Sequence, residues 1–282
     1  MRNVLMVAVV AFALASAVSA QSTFTFKTVD APGATFTRLH NINRRGDIVG
    51  LFRSGTSLGH GFLLHGRTFQ QIDFPGAIFT SARGINSSGE ITGGYVDTND
   101  IDHGFLLKDG QFTSFDYPGA ASTDAFDIND SGDIVGVYVD DAGVQHGFLL
   151  RAGTFTNIDF PGSSSTGVSG VNDFGVITGE ATLLEGTTEA FRLTANRYKV
   201  IRFPGATSTS AGDVSNSGQV IGIYVDARSL THGFLWTAAG FQAIDFPNSI
   251  LTVALGINAS GKLVGDYQDS SGVTHGFLAV PQ

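Results

Sequence analysis

The sequence predicts an all-β chain, a six-bladed β-propeller with four antiparallel strands per blade. Three observations carry this: a strict repeat, four strand-like runs in every unit, and chain ends that complete one another. The repeat is 43 residues long and uninterrupted, as Thr37, Thr80, Thr123, Thr166, Thr209 and Thr252 show, and six whole units run from Thr23 to Val280. Self-similarity at this period is the mark of a propeller blade of four strands.

In the second unit the β-prone runs are Ala82 to Asn86, Glu90 to Asp97, His103 to Lys108 and Gln111 to Tyr117, here named strands a to d. Asn86 and Gly89 mark the a–b turn, and Asp109-Gly110 between c and d is the strongest short hairpin signal. Phe105-Leu106-Leu107 places apolar residues side by side, which predicts a sheet buried on both faces. The rival, a β-solenoid, uses shorter coils and lacks two-residue hairpins. After strand d, Pro-Gly ends the strand and turns the chain, with Asn248 replacing the glycine once. Gly93 and its equivalents lie inside strand b and predict close approach of a neighbouring blade.

The last unit stops where its c–d turn is due, at Pro281, so it lacks strand d. Thr25 to Asp30 carries the strand-d pattern, with Phe26, Val29 and Asp30 matching Phe112, Phe115 and Asp116. An N-terminal strand completing the C-terminal blade closes the ring and removes its edges.

Before that strand lie Arg2, an apolar run from Val4 to Ala15, and small residues up to Ala20. This is the pattern of a secretory signal peptide, residues 1–20, cleaved after Ala20. A single propeller domain, 21–282, follows, and a secreted or periplasmic monomer is expected. The apolar run is too short to span a bilayer, so membrane insertion is not expected. Cysteine is absent, but a domain of this size buries a sufficient core without disulfides. A formal charge of −9 disfavours nucleic acid as a partner.

Histidine and aspartate recur in a way that invites a catalytic or metal reading: His60 with Asp73, His103 with Asp116, His146 with Asp159, His232 with Asp245. In the fourth unit the histidine becomes Glu189 and the aspartate becomes Arg202, so the charge signs exchange together. A two-residue c–d turn sets these positions opposite each other, and the residues are therefore read as cross-strand pairs. At the seam His275 meets Asp30.

Function is sought where the repeat breaks. The d–a and b–c connections vary and emerge on one face of the disc, the candidate binding surface. There the d–a segments present Phe36, Arg38 and His40, then Phe79 and Arg83, then Asp124 and Phe126. A second ring in strand a alternates Asn41, Asp127 and Asp213 with glycine; three oxygen-bearing groups around a channel make a candidate calcium site. The same residue types also tolerate left-handed backbone, the plainer reading.

The strings HGFLL, IDFPGA and GINSSGEITGGYVD, with EAFRL in one unit, resemble the HAF family of extracellular repeats found in bacteria, and the blade pattern is similar to WD-repeat-like propellers. The resemblance covers all six units and implies a bacterial, exported repeat protein; it brings no catalytic residues. Most copies read His-Gly-Phe where the family name implies His-Ala-Phe, and Ala190 alone keeps the alanine. The function expected is a non-enzymatic binding or scaffold propeller that engages a protein or glycan. The alternative is a hydrolase or lactonase with a metal in its channel, for which His40, Arg83 and Asp124 are the repeat-breaking groups available.

Overall fold

The computed structural model describes residues 24–282; the expected leader and its expected cleavage point lie outside them. Among the described residues there is no helix, and the strands form six sheets of four. Blade I comprises strands a Phe36–Ile42, b Ile48–Arg53, c His60–His65 and d Thr68–Ile72; each later blade repeats this order. Blade VI takes a, b and c from Leu251–Ile257, Leu263–Gln268 and Thr274–Pro281, and its fourth strand is Phe24–Thr28. The ring is closed by pairing of Phe24 with Pro281 through Thr28 with Phe277, continued by Val29 N donating to Gly276 O at 2.8 Å. Pro281 therefore ends a strand rather than making a turn, because the partner that follows it in space comes from the other terminus.

The core lies between blades. Phe62, Phe105, Phe148, Phe191, Phe234 and Phe277 are fully buried, and each apolar cluster joins residues of two neighbouring sheets: Val49 and Ile72 of blade I pack with Ala82, Ile91 and Phe105 of blade II. The repeated threonine ties each inner strand to the preceding turn, as when Phe74 N donates to Thr80 Oγ1 at 3.0 Å. Below, Asn43, Asn86, Asn129, Asn172 and Asn258 each donate from Nδ2 to the carbonyl of the equivalent residue in the next blade, a belt of amides interrupted only at Ser215.

Strand a is longer than its hydrophobic pattern predicts, beginning at Phe79 in blade II rather than at Ala82. The reason is a β-bulge. Ala82 pairs with Gly93 and Gly84 with Thr92, leaving Arg83 without an opposite residue, and the extra residue breaks the period-two alternation. The same bulge isolates His40, Phe126, Ser169 and Leu255, and in blade V it covers Gly212 and Asp213. It also accounts for Gly93, where a Cβ would strike the carbonyl oxygen of Ser81 in the same sheet and approach Phe105 Cε1 to 3.0 Å. The glycine answers to its own blade, not to a neighbour.

The six charge pairs form as their register requires. Nδ1 lies 3.0 Å from Asp73 in His60, 2.9 Å from Asp116 in His103, 2.9 Å from Asp159 in His146, 3.0 Å from Asp245 in His232 and 2.8 Å from Asp30 in His275. Arg202 forks onto Glu189, with Nε 2.9 Å from Oε2 and the second contact between NH2 and Oε1. Each imidazole also lies against the aromatic ring opposite it, as His103 does on Tyr95 at 5.0 Å; in blade IV that residue is Ala181, and Glu189 is buried against it.

Replacing Arg202 with methionine strands the buried Glu189 carboxylate. The melting temperature is expected to fall by about 6–10 °C. The double variant E189H/R202D installs the pair used elsewhere and should recover most of that loss, though not all, since Ala181 supplies no ring. Calorimetry decides: an unchanged transition in R202M, or no recovery in the double variant, contradicts the pairing.

Candidate functional site

The bulge places one unpaired side chain from each inner strand at the axial mouth. Reading that register around the ring gives His40, Arg83, Phe126, Ser169, Gly212 and Leu255, six different residues; the facing pair of registers, Arg38 with Leu51 and its equivalents, varies as freely. They line a hollow of about 210 Å³ with Arg38 and Asn41. Phe126, Ser169, Gly212 and Leu255 also wall an adjoining apolar hollow of about 260 Å³, which Glu180 and Gln145 border.

One side of the mouth is basic and tied across blade boundaries. Arg38 Nε donates to Asp266 Oδ1 at 2.6 Å and its NH2 to Oδ2 at 3.3 Å, linking blades I and VI. Arg83 NH2 lies 2.6 Å from Asp124 Oδ2, linking blades II and III, and the guanidinium sits 4.5 Å from the Phe126 ring centroid. His40 Nδ1 bonds the Ala82 carbonyl at 2.9 Å. A carbonyl only accepts, so Nδ1 carries the proton. Burial, then the charges of Arg83 and Arg38, hold the His40 pKa well below its usual value, so the ring is neutral and Nε2 is an acceptor. Burial pushes Asp124 and Asp266 upward, while their arginines pull the other way.

Among the described residues four buried side-chain polar atoms have no hydrogen-bond partner, and three of them belong here: Ser81 Oγ, Arg83 Nε and Asp124 Oδ1. Asp124 Oδ1 occupies the space a Cβ would take at Gly94, and Ser81 is paired with Gly94, so the orphans gather around one point. Buried polar groups are otherwise satisfied almost without exception, so this cluster sets the Arg83–Asp124 corner apart from the rest of the ring.

Of the residues the sequence singled out, Arg38, His40, Arg83, Asp124 and Phe126 are brought together. Phe36 and Phe79 are not. Phe36 lies under Arg38 and Arg53, 5.6 and 5.1 Å from their guanidinium carbons, and Phe79 packs against the backbone of Gly59. Ser169, Gly212, Leu255 and Glu180 were overlooked; following the His40 register through all six units would have found the first three. His40 bonds a backbone carbonyl and Asp124 bonds an arginine, so the two are not paired with each other.

Asn41, Asp127 and Asp213 do converge below the mouth, but as a clasp. Asp127 accepts from Ile128 N and, across the blade boundary, from Val171 N, both at 2.8 Å; Asp213 accepts from Val214 N at 2.6 Å and Ile257 N at 2.9 Å. Asn41 points Nδ2 at Asp127 Oδ1, 2.8 Å away. With every carboxylate oxygen already bonded and an N–H aimed into the ring, this donor set does not fit calcium, which needs six to eight free oxygens. Their backbone is not left-handed either. The alternating glycines are explained by proximity: a Cβ at Gly84 would come within 2.7 Å of the Asp127 Cα. Burial raises both acids, Asp213 to about 6 and Asp127 well above its usual value, the latter also through Asp213.

No family model matches the chain, and no curated protein matches it. Solved structures do. A putative TolB from Agrobacterium tumefaciens superposes with a TM-score of 0.59 at 12% identity, over 88% of this chain and 91% of that one. AofleA from Arthrobotrys oligospora gives 0.58 at 12%, over 91% and 86%. The Aleuria aurantia lectin, in complex with Fucα1-6GlcNAc, gives 0.55 at 11%, over 88% and 97%. At these identities the likeness is one of fold, a six-bladed propeller.

Proposed function

We propose that the chain is an exported, non-enzymatic glycan-binding propeller whose ligand sits in the axial mouth on the d–a and b–c face. The observation that carries this reading is the coincidence of the three unsatisfied buried atoms with the repeat-breaking residues Arg83, Asp124 and Phe126. Hydroxyl groups donate and accept at once, and they suit a mouth lined by the Arg83 guanidinium and the neutral His40, whose Nε2 accepts. A ring such as Phe126 receives the apolar face of a sugar. The sugar-bound lectins that share the fold support the class of ligand, and the leader with the HAF-like repeats supports export.

A glycan array probed with the labelled mature chain, followed by calorimetric titration of the best binder, tests the proposal. Substituting Phe126 by serine, the residue blade IV already carries, and separately Arg83 by methionine, is expected to weaken binding at least about ten-fold. Retained affinity in both variants would place the site elsewhere, and an array without any binder would remove glycan as the ligand.

A further inference from the structure

The fourth unsatisfied buried atom lies on the opposite face. It is Nε of Arg192. In the other five units this position is leucine, Leu63, Leu106, Leu149, Leu235 and Leu278, packed between neighbouring blades. A charge at a blade boundary without a partner is costly and needs a reason.

Two more departures from the repeat occur beside it. Trp236, the single tryptophan of the chain, stands where other blades have leucine or alanine, and Lys199 stands where four have glutamine or threonine and only the closing strand has a lysine, Lys27. Together with the backbone of Ala238–Gly240 and Ser217 they enclose a cavity of about 530 Å³ between blades IV and V, with Lys199 Nζ 4.6 Å from the Trp236 ring centroid. No acidic residue lines it. In blades I to III the bases on this face are answered by acids at 2.6 Å: His65 by Asp47, Lys108 by Glu90, Arg151 by Asp133. In blades IV and V both members of that pair are replaced, by Thr194 with Val176 and Thr237 with Gln219, so no acid of this register reaches the cavity. Arg192 and Lys199 share this cavity with an indole and no acid, in a protein whose net charge is −9.

We propose that this cavity is a second binding site, for an acidic sugar residue: the carboxylate pairs with Arg192 and Lys199, and the C–H face of the ring lies on Trp236. A bare anion would satisfy the cations but leave the indole and alanine walls unused. The cavity has room for more than one such ring.

Because Trp236 is the only tryptophan, its emission reports this site alone. The mature chain is titrated with trigalacturonate, with neutral galactotriose and with sodium sulfate. A saturable change with trigalacturonate is expected, at least about ten-fold weaker in R192L and reduced in K199Q, and unaltered in F126S. R192L restores the leucine of the other units, so its fold is secure and its melting temperature should rise. The proposal is overturned if trigalacturonate gives no saturable change, if galactotriose or sulfate binds as well, or if R192L binds like the parent. Insensitivity to F126S separates this site from the mouth, whose failure would leave the fluorescence result standing.

Discussion

A chain that begins at Ala31, without the closing strand, is expected to lose its cooperative thermal transition and to self-associate. The deletion removes five ladder partners, the Val29 to Gly276 bond and the His275 to Asp30 pair. It also removes Phe26, whose ring lies 5.6 Å from Phe246 and 5.8 Å from Phe277. Counting about 1 kcal/mol for each backbone bond and about 2 for each aromatic ring uncovered, the loss is of order 8–10 kcal/mol, comparable with the whole stability of a typical domain. Strand c of the last blade then becomes an exposed edge, a template for a second chain. A peptide of residues 24–30 added in trans should restore the parent's elution volume on size exclusion. A truncated chain melting within a few degrees of the parent would contradict the account of closure.

Raising the pH from about 4 to about 7 is expected to lower stability through the axial acids. In the unfolded chain an aspartate ionises near its usual value, about 3.9, whereas folded Asp213 keeps its proton until about 6. Between those values the native state binds more protons than the unfolded one, so stability is fully present below about 4 and is lost as the pH rises through 6. The contribution of Asp213 is of order 3 kcal/mol, and Asp127 acts in the same direction. Asp226 and Asp269, drawn down to about 2 by local hydrogen bonds, act with the opposite sign below this window, and His40, whose pKa is held down, opposes within it, so Asp213 is read from the difference between parent and variant. Melting temperatures of parent and D213N, which installs the residue Asn41 already represents, should diverge progressively across it. Parallel profiles would show that Asp213 does not titrate there.

The ring, the strand order and the seam were legible because they rest on residue types with one physical meaning at a fixed spacing. Asp109-Gly110 sets a two-residue turn, and that turn alone places His103 opposite Asp116. The bulge was not legible. It shifts the side-chain alternation by one residue without any distinctive composition, so Arg83 and Phe126 read as connecting segments and Gly93 as a contact between blades. Asn41, Asp127 and Asp213 were visible as a ring, but whether their oxygens are free or bonded to Val171 and Ile257 amides depends on how closely two blades approach. Arg192, Lys199 and Trp236 lie within strands, where a repeat protein is least expected to vary, and only their convergence gives them meaning.

The bulge separates two kinds of inheritance. The residue just before it, Leu39, Ala82, Ala125, Val168, Ala211 or Ala254, is apolar and buried in every blade. The bulged residue faces no ladder partner, so histidine, arginine, phenylalanine, serine, glycine and leucine all occupy it on the same backbone. Copying a unit therefore duplicates an empty socket along with the architecture, and single substitutions then fill each socket independently. Six such positions around one axis let a mouth without symmetry sit on a disc that is nearly symmetric.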